Sequence, residues 1–352
     1  MAYTTIDKSD EYFNTVLYTG TGGGGSNRQI TGVGFQPDWV WVKTRGSAQE
    51  HVLSDVVRGA TGALDSSATT EEEITNTRIG AFISDGFQLG SGSVQNRVNQ
   101  SGIGIASWNW LASNTTASNT AGSITSTVSA NTTSGFSIVS YTGNATASAT
   151  VGHGLSSAPQ MVITKNRVDA GTQWQVLTNI YPSYSEGDFI YLNATDAKAN
   201  SANVSFLPTS ITWQMKSGQA GNVAVAQIAY CFHSVKGYSK FGSYTGNGST
   251  DGTFVYTGFK PAWIMIKRTD STSSWSMRDT IRSPYNVVTN RLWADLTNAE
   301  STSTTETIDI LSNGFKCRNN VAGINASGGT YIYMAFAENP FVTSTGIPTT
   351  AR

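Results

Sequence analysis

The sequence predicts an all-β chain: three tandem antiparallel β-sandwich modules of the jelly-roll or concanavalin-like kind, with little helix. Three observations carry this. A long motif is written three times, so one supersecondary unit of about a hundred residues is repeated. Apolar segments such as Trp39-Val40-Trp41-Val42, Met161-Val162-Ile163 and Val223-Ala224-Val225-Ala226 are short, rich in β-branched and aromatic residues, and bounded by turn residues. Only 13% of the 352 residues are charged and 36 are Gly, a composition poor in helix formers. Short strands recurring through a unit of this size bury their apolar faces most simply as two sheets packed face to face.

The motif opens on Tyr-Thr-Gly, at Tyr18-Thr19-Gly20, Tyr141-Thr142-Gly143 and Tyr244-Thr245-Gly246. A Gly/Asn/Ser stretch follows, then Gly-Phe or Gly-Leu, then Pro37, Pro159 or Pro261. Tyr to Pro spans 19, 18 and 17 residues, and each Pro precedes an apolar strand and a lysine 6 residues on. The units close on Ala106-Ser107-Trp108-Asn109-Trp110, Ile228-Ala229-Tyr230-Cys231-Phe232 and Ile332-Tyr333-Met334-Ala335-Phe336. Pro to last aromatic is 73, 73 and 75 residues, so length varies between units more than within them. The division expected is an N-terminal arm (1–16), a first module (17–111), a Ser/Thr/Asn-rich linker (112–134), a second module (135–234), a third (235–341) and a C-terminal tail (342–352). The polar linker has too little apolar surface to offset the entropy of ordering it. The short joint Ser234 to Lys240 implies a rigid pair of later modules and a looser first one.

Within each unit a second strand is expected after the Lys/Arg, at Gln49 to Leu53, Gln173 to Leu177 and Ser274 to Met277. The following segments, from Leu53, Leu177 and Arg278, have room for a helical turn, but Gly59, Pro182 and Pro284 argue against a long helix. Asp85-Gly86-Phe87 and Asn313-Gly314-Phe315 are turns into further strands. Gly22-Gly23-Gly24-Gly25 has no Lys-Ser/Thr after it and reads as a hairpin tip. Cys231 and Cys317 lie in different units and are expected as buried free thiols.

Several function classes lose support here. No apolar run could span a bilayer and no N-terminal signal core is present, so synthesis in the cytoplasm is expected. A net charge of -1, without a basic cluster, argues against nucleic acid as a partner. His51, His153 and His233 fall at different places in their units, and no ligand spacing joins them, so neither metal nor cofactor is expected. Calcium sites built from loop Asp and Asn oxygens have no fixed spacing, which leaves that class open. No Gly-x-Ser-x-Gly elbow leads into an α/β pattern, and Glu71-Glu72-Glu73, the one carboxylate run, reads as a solvated loop. A non-enzymatic role is expected.

Two residue sets are candidates for ligand binding. Lys43/Arg45, Lys165/Arg167 and Lys267/Arg268 recur at the end of the Pro-led strand, where they either satisfy strand-end carbonyls and acids or line a repeated anion site. Trp39/Trp41 and Trp108/Trp110 are two apart and so share a core-facing side of a strand. Trp174, Trp213, Trp275 and Trp293 are the candidates for stacking on a sugar.

The opening Met1-Ala2-Tyr3-Thr4-Thr5-Ile6-Asp7-Lys8-Ser9, the repeated module, the Asp85-Gly86-Phe87 turn and the closing Ala335-Phe336-Ala337-Glu338-Asn339-Pro340-Phe341 together resemble a family of tailed-bacteriophage virion proteins described as tail or tail-fibre proteins. The resemblance covers nearly the whole chain. It implies concanavalin-like sandwiches and a place in the virion, assembled in the host cytoplasm and exposed on the particle. The role implied is a tail-associated fibre or adhesin binding a host surface receptor, a glycan above all. Its alternatives are a non-adhesive capsid decoration, head fibre or tail adaptor, and, more remotely, a polysaccharide depolymerase. Partners implied are other virion proteins and further copies of the chain, a trimer by preference, with no membrane insertion. Asp follows Pro only in the first unit, with Gln160 and Ala262 in its place later, and the second unit lacks the Asp/Asn-Gly-Phe turn.

Overall fold

Residues 4–23, 27–92, 96–216 and 220–339 are described by a computed structural model of the chain. Strands take 43% of the residues and helix 4%, an all-β fold with antiparallel sheets. Met1 to Tyr3, Gly24 and Gly25 of the expected hairpin tip, and the tail 342–352 lie outside the described residues.

The first third of the chain forms β1 (Phe13–Thr19), β2 (Gln29–Thr31), β3 (Trp39–Thr44), β4 (Val52–Asp55), β5 (Gly59–Leu64), β6 (Glu73–Ile74), β7 (Ile79–Ile83), β8 (Gly86–Leu89) and β9 (Gly104–Trp110). They make a large sheet, β1-β9-β3-β4-β5-β6, and a small one, β2-β8-β7. The middle third forms β10 (Ala117–Asn119), β11 (Ser126–Asn131), β12 (Phe136–Thr142), β13 (Ala149–Gly152), β14 (Met161–Asn166), β15 (Gln175–Thr178), β16 (Asp188–Tyr191), β17 (Ala199–Asn200), β18 (Leu207–Pro208), β19 (Thr212–Met215) and β20 (Ala226–Phe232). Its sheets are β10-β11-β12-β20-β14-β15-β16-β17 and β13-β19-β18. The last third forms β21 (Ser239–Thr245), β22 (Phe254–Tyr256), β23 (Lys260–Arg268), β24 (Ser276–Asp279), β25 (Leu292–Trp293), β26 (Ile308–Leu311), β27 (Gly314–Cys317) and β28 (Thr330–Asn339), in sheets β21-β28-β23-β24-β25 and β22-β27-β26.

Side-chain alternation along the central strands explains why they are apolar throughout. In β3, Val40 and Val42 face the small sheet in a cluster with Ile30, Phe87 and Leu89, while Trp39 and Trp41 face the other way. The second and third sheet pairs have their own clusters of the first kind, around Val139, Val162 and Trp213 and around Ile264, Ile266 and Phe315. The opposite faces of all three large sheets meet in one shared aromatic core. Trp39 stacks on Tyr230 with ring centroids 4.3 Å apart, Trp110 meets Trp263 at 5.8 Å, Phe232 meets Phe336 at 6.3 Å, and Phe13 stacks on Phe336 at 5.0 Å. Cys231 and Cys317 are buried and free.

The recurring Tyr-Thr-Gly has a physical cause. Its tyrosine hydroxyl donates to a backbone carbonyl just before the closing strand: Tyr18 to Val98 at 2.8 Å, Tyr141 to Gly221 at 2.7 Å and Tyr244 to Ile324 at 2.8 Å. Burial raises all three phenol pKa values. A Cβ on Gly20, Gly143 or Gly246 would lie 2.0, 2.1 or 2.3 Å from a backbone oxygen, a clash no side chain survives. Next in sequence to each carbonyl, Asn99, Asn222 and Asn325 accept the N–H of Thr21, Asn144 and Asn247 at 3.0, 3.1 and 3.0 Å. The Asp/Asn-Gly-Phe turns are explained likewise: a Cβ on Gly86 or Gly314 would sit 2.0 Å from the carbonyl oxygen of Ile30 or Val255.

Four expectations are corrected. Residues 112–134 are not a free linker, because β11 pairs along β12 and β10 along β11. Backbone hydrogen bonding needs no apolar composition, and Ile124 and Val128 supply the buried contacts. The first sheet pair is no looser than the others, since its tryptophans form much of the shared core. The arm assigned to 1–16 ends inside β1, whose pairing with β9 begins at Phe13. The second strands run about two residues later than expected, and turns, followed in the first unit by β5, rather than helix occupy the segments after them.

Candidate functional site

Most residues expected to bind a ligand instead join one sheet pair to the next. Trp174 Nε1 donates to the carbonyl of Asp65 at 2.7 Å, and Trp275 Nε1 to that of Tyr191 at 2.8 Å. The corresponding position in the first pair is His51, whose Nε2 lies 2.8 Å from the Trp293 carbonyl. Trp41 Nε1 donates to His51 Nδ1 at 2.7 Å, which leaves Nε2 to carry the proton toward that carbonyl. Burial, then Lys43, pushes the His51 pKa down to about 3, so the ring stays neutral. These three bonds run from the second pair to the first, from the third to the second and from the first to the third. The cycle closes within one chain.

Two of the three lysines follow the same cycle. Lys43 Nζ donates to the carbonyls of Thr44 at 3.1 Å and Thr297 at 3.0 Å, the latter in the third pair. Lys267 donates to Thr195 O at 2.8 Å, in the second pair, and to Ser273 O. Lys165 bonds Asn166 O at 2.7 Å and Thr172 Oγ1 at 2.9 Å within its own pair. All three are buried and donate to carbonyls, as the strand-end reading of them expects, and the anion-site alternative falls. Burial pulls each amine down to about 8, with nearby acids opposing. An unfolded lysine titrates near 10.5, so between about pH 8 and 10.5 the unfolded chain binds more protons and stability rises with pH. Two buried cysteines, whose thiol pKa values burial raises, act in the opposite sense in this range but are outnumbered by the three lysines, so the thermal midpoint is expected to climb from pH 8 to about 9.5, below the range where the raised tyrosines also oppose them. Lys43→Met should flatten that slope, and an unchanged slope would count against a buried cation at this position.

Arg45 and Arg167 reach acids of a neighbouring pair, Glu300 and Glu72, each at 2.7 Å. Each acid also holds a buried arginine of its own pair. Glu72 takes Arg58 at 2.8 Å, and Arg58 takes Asp55 at 2.5 Å; Glu300 takes Arg282 at 2.9 Å, and Arg282 takes Asp279 at 2.5 Å. Tyr230 donates to Asp55 at 2.8 Å and Trp108 to Asp279 at 3.1 Å across the same seams. Burial alone would lower the Arg58 pKa, but Asp55, Tyr230 and Glu72 hold it above its usual value. The carboxylate run is therefore not simply a solvated loop, because Glu72 is a seam residue. At the third seam the corresponding side chains are Thr178, Tyr181, Lys198 and Met334. Lys198 sits 5.1 Å over the Tyr181 ring and pairs with Asp188 at 2.6 Å, while Arg268 pairs with Asp270 of its own strand end at 3.0 Å.

Trp213 is fully buried under its small sheet, and Trp174 and Trp275 are fully buried at seams, so none of the three can stack on a sugar. Trp293 is half-buried, its ring covered by the Arg291 guanidinium at 4.6 Å. No group of three or more His, Cys, Asp or Glu side chains placed to hold a metal occurs among the described residues. A cavity of about 310 Å³ beside the first seam is lined by Asp65, Glu71, Glu72 and Glu73. Its two buried acids are engaged, Asp65 by Arg97 at 2.9 Å and Glu72 by the pair above.

An open feature among the described residues is a groove of about 610 Å³ between the second and third sheet pairs. β21 lies at the free end of its sheet and forms one lip from Lys240 to Tyr244; β22 forms the other. Phe254 is 44% and Tyr256 60% exposed on that second lip. Gln160, Asn179 and the phenol of Tyr333 line the groove as well. A depression of about 330 Å³ shares Lys240 and Tyr256 with it. Exposed rings were legible in the sequence only as a composition; their position beside a sheet edge was not.

Fold and surface together define an internally repeated β-sandwich protein, most of whose recurrent charged residues are spent on its own strand ends and seams and whose surface carries an aromatic-lipped groove at a sheet edge. The chain belongs to the family described as Domain of unknown function (DUF7483), whose model matches residues 8–340. No curated protein matches the chain, and no solved structure does.

Proposed function

We propose that the chain is a non-enzymatic structural protein of a tailed-phage particle, exposed on the virion and attached to other virion proteins through its open sheet edges. The groove beside β21 carries this reading: it pairs an unfilled strand edge with exposed rings on a body otherwise closed by a shared core. An adhesive role toward a host glycan is the second reading. Phe254 and Tyr256 beside Gln160 and Asn179 are its support, since rings and amides suit a saccharide. Three sheet pairs already close a cycle in one chain, which makes further trimerisation unnecessary for a threefold body.

Gold labelling of the chain on intact particles, with a host-cell adsorption assay of the purified protein, tests both. Label on particles with no effect on adsorption is the expected result. Label on the tail together with blocked adsorption would favour the adhesin, and an absence of the chain from particles would remove both.

A further inference from the structure

The three large sheets end in corresponding edges, and the chain fills one of them itself. On β12, β11 runs antiparallel with Ser126 opposite Tyr141, Val128 opposite Val139 and Ala130 opposite Ser137. The same segment reaches the small sheet, where Ile124 N–H donates to Thr150 O at 3.0 Å and Ser126 Oγ to Gly152 O at 2.9 Å. Val128 packs in the cluster holding Val139 and Val151. Residues between β9 and β12 thus plug the gap between a large-sheet edge and a small-sheet edge.

In the third sheet pair the corresponding gap lies between β21 and β22, and it is the 610 Å³ groove. Tyr244 stands where Tyr141 stands, Gly242 where Val139 does and Lys240 where Ser137 does. Among the described residues no strand pairs with the outer edge of β21. The reason is length: β9 and β12 are separated by residues 111–135, enough to fold back as two strands, whereas β20 and β21 are separated only by 233–238. At β1 the corresponding space is crossed by Asn14 Nδ2 on Val33 O at 3.1 Å, while the bond of Arg28 to Thr19 O at 2.8 Å has its counterpart at β21 in Thr253 Oγ1 on Thr245 O at 2.9 Å.

We infer that the β21–β22 groove receives an extended strand from another polypeptide chain, laid antiparallel to β21. The register of β11 specifies the guest: a small apolar side chain opposite Gly242, pointing under the Phe254 and Tyr256 lip, with short hydroxyl or Ala side chains at alternate positions. Backbone pairing supplies the affinity and the buried alternate side chain the selectivity. The inference rests on the assembly reading for the source of the strand, while the groove's capacity to take one is a property of the chain alone.

The test uses the purified full chain and a capped synthetic peptide of residues 122–132, the segment that fills the β12 edge. Amide hydrogen exchange at Ser243 and Thr245, whose N–H groups face away from β28, should slow by roughly tenfold or more with peptide at saturation. The same peptide carrying Val128→Asp, or a chain carrying Phe254→Ala and Tyr256→Ala, should lose most of that protection. Protection that is absent, that lies only elsewhere or that survives Val128→Asp overturns the inference. So does protection by maltohexaose and not by peptide, which would make the groove a saccharide site. If these amides are already protected in the free chain and become exposed in a chain ending at Asn339, the occupant is the chain's own C-terminus and a second chain is excluded. Binding of peptide with no chain found on particles would sink the assembly reading alone.

Discussion

Trp39→Ala is expected to cost about 3–5 kcal/mol, the range for deleting a fully buried aromatic side chain, and to do so in a single unfolding transition of the whole chain. Trp39 packs against rings from its own sheet, Trp41 and Trp110, and from the second sheet pair, Phe136, Tyr230 and Phe232. The cavity left behind would therefore open between sheet pairs as well as beneath one. Calorimetry distinguishes the outcomes. A single endotherm shifted down supports a core held in common; two or three endotherms, only one of them moved, would mean that the pairs fold independently.

Arg58→Met should be comparably damaging, about 3–5 kcal/mol, because it leaves Asp55 and Glu72 short of their buried partner. The third seam supplies the compensating experiment. There Thr178, Tyr181, Lys198, Thr269 and Met334 stand where the first seam has Asp55, Arg58, Glu72, Arg167 and Tyr230. Replacing the network by a neutral version of that set, as Asp55→Thr, Arg58→Tyr, Glu72→Gln, Arg167→Thr and Tyr230→Met, removes every charge and should recover most of the loss. Denaturant unfolding of the single and fivefold variants measures both. If the fivefold variant is no more stable than Arg58→Met, the two seams are not interchangeable solutions to one packing problem.

The architecture was legible because strand alternation is local. Trp39/Trp41 and Trp108/Trp110, two residues apart, had to share a face whatever lay beyond it, and the recurring motif counted the units. The seams were not legible, because Trp174 to Asp65 and Lys43 to Thr297 join residues far apart in sequence, with no spacing to betray them. Recurrence of Lys in every unit did signal a strand-end role, which all three lysines have; what spacing could not say was that Lys43 and Lys267 also reach across a seam. The polar tract 112–134 misled for a related reason, since a strand at a sheet edge is held by its backbone as much as by its side chains. One signal was present and overlooked: Asn99, Asn222 and Asn325 each follow their motif tyrosine by 81 residues, an interval as constant as any in the repeat.

A closed cycle built from one chain has a consequence for counting. A trimer of identical subunits must show every surface three times and would bind three guests alike. Here the three edges have diverged in a single chain: one is sealed by residues 117–131, one is crossed by the Asn14 side chain, and one stays wide. With the inferred guest at the wide edge, such a body would keep the rigidity of a threefold assembly but have a valence of one, its stoichiometry set by the number of chains and not by the number of repeats.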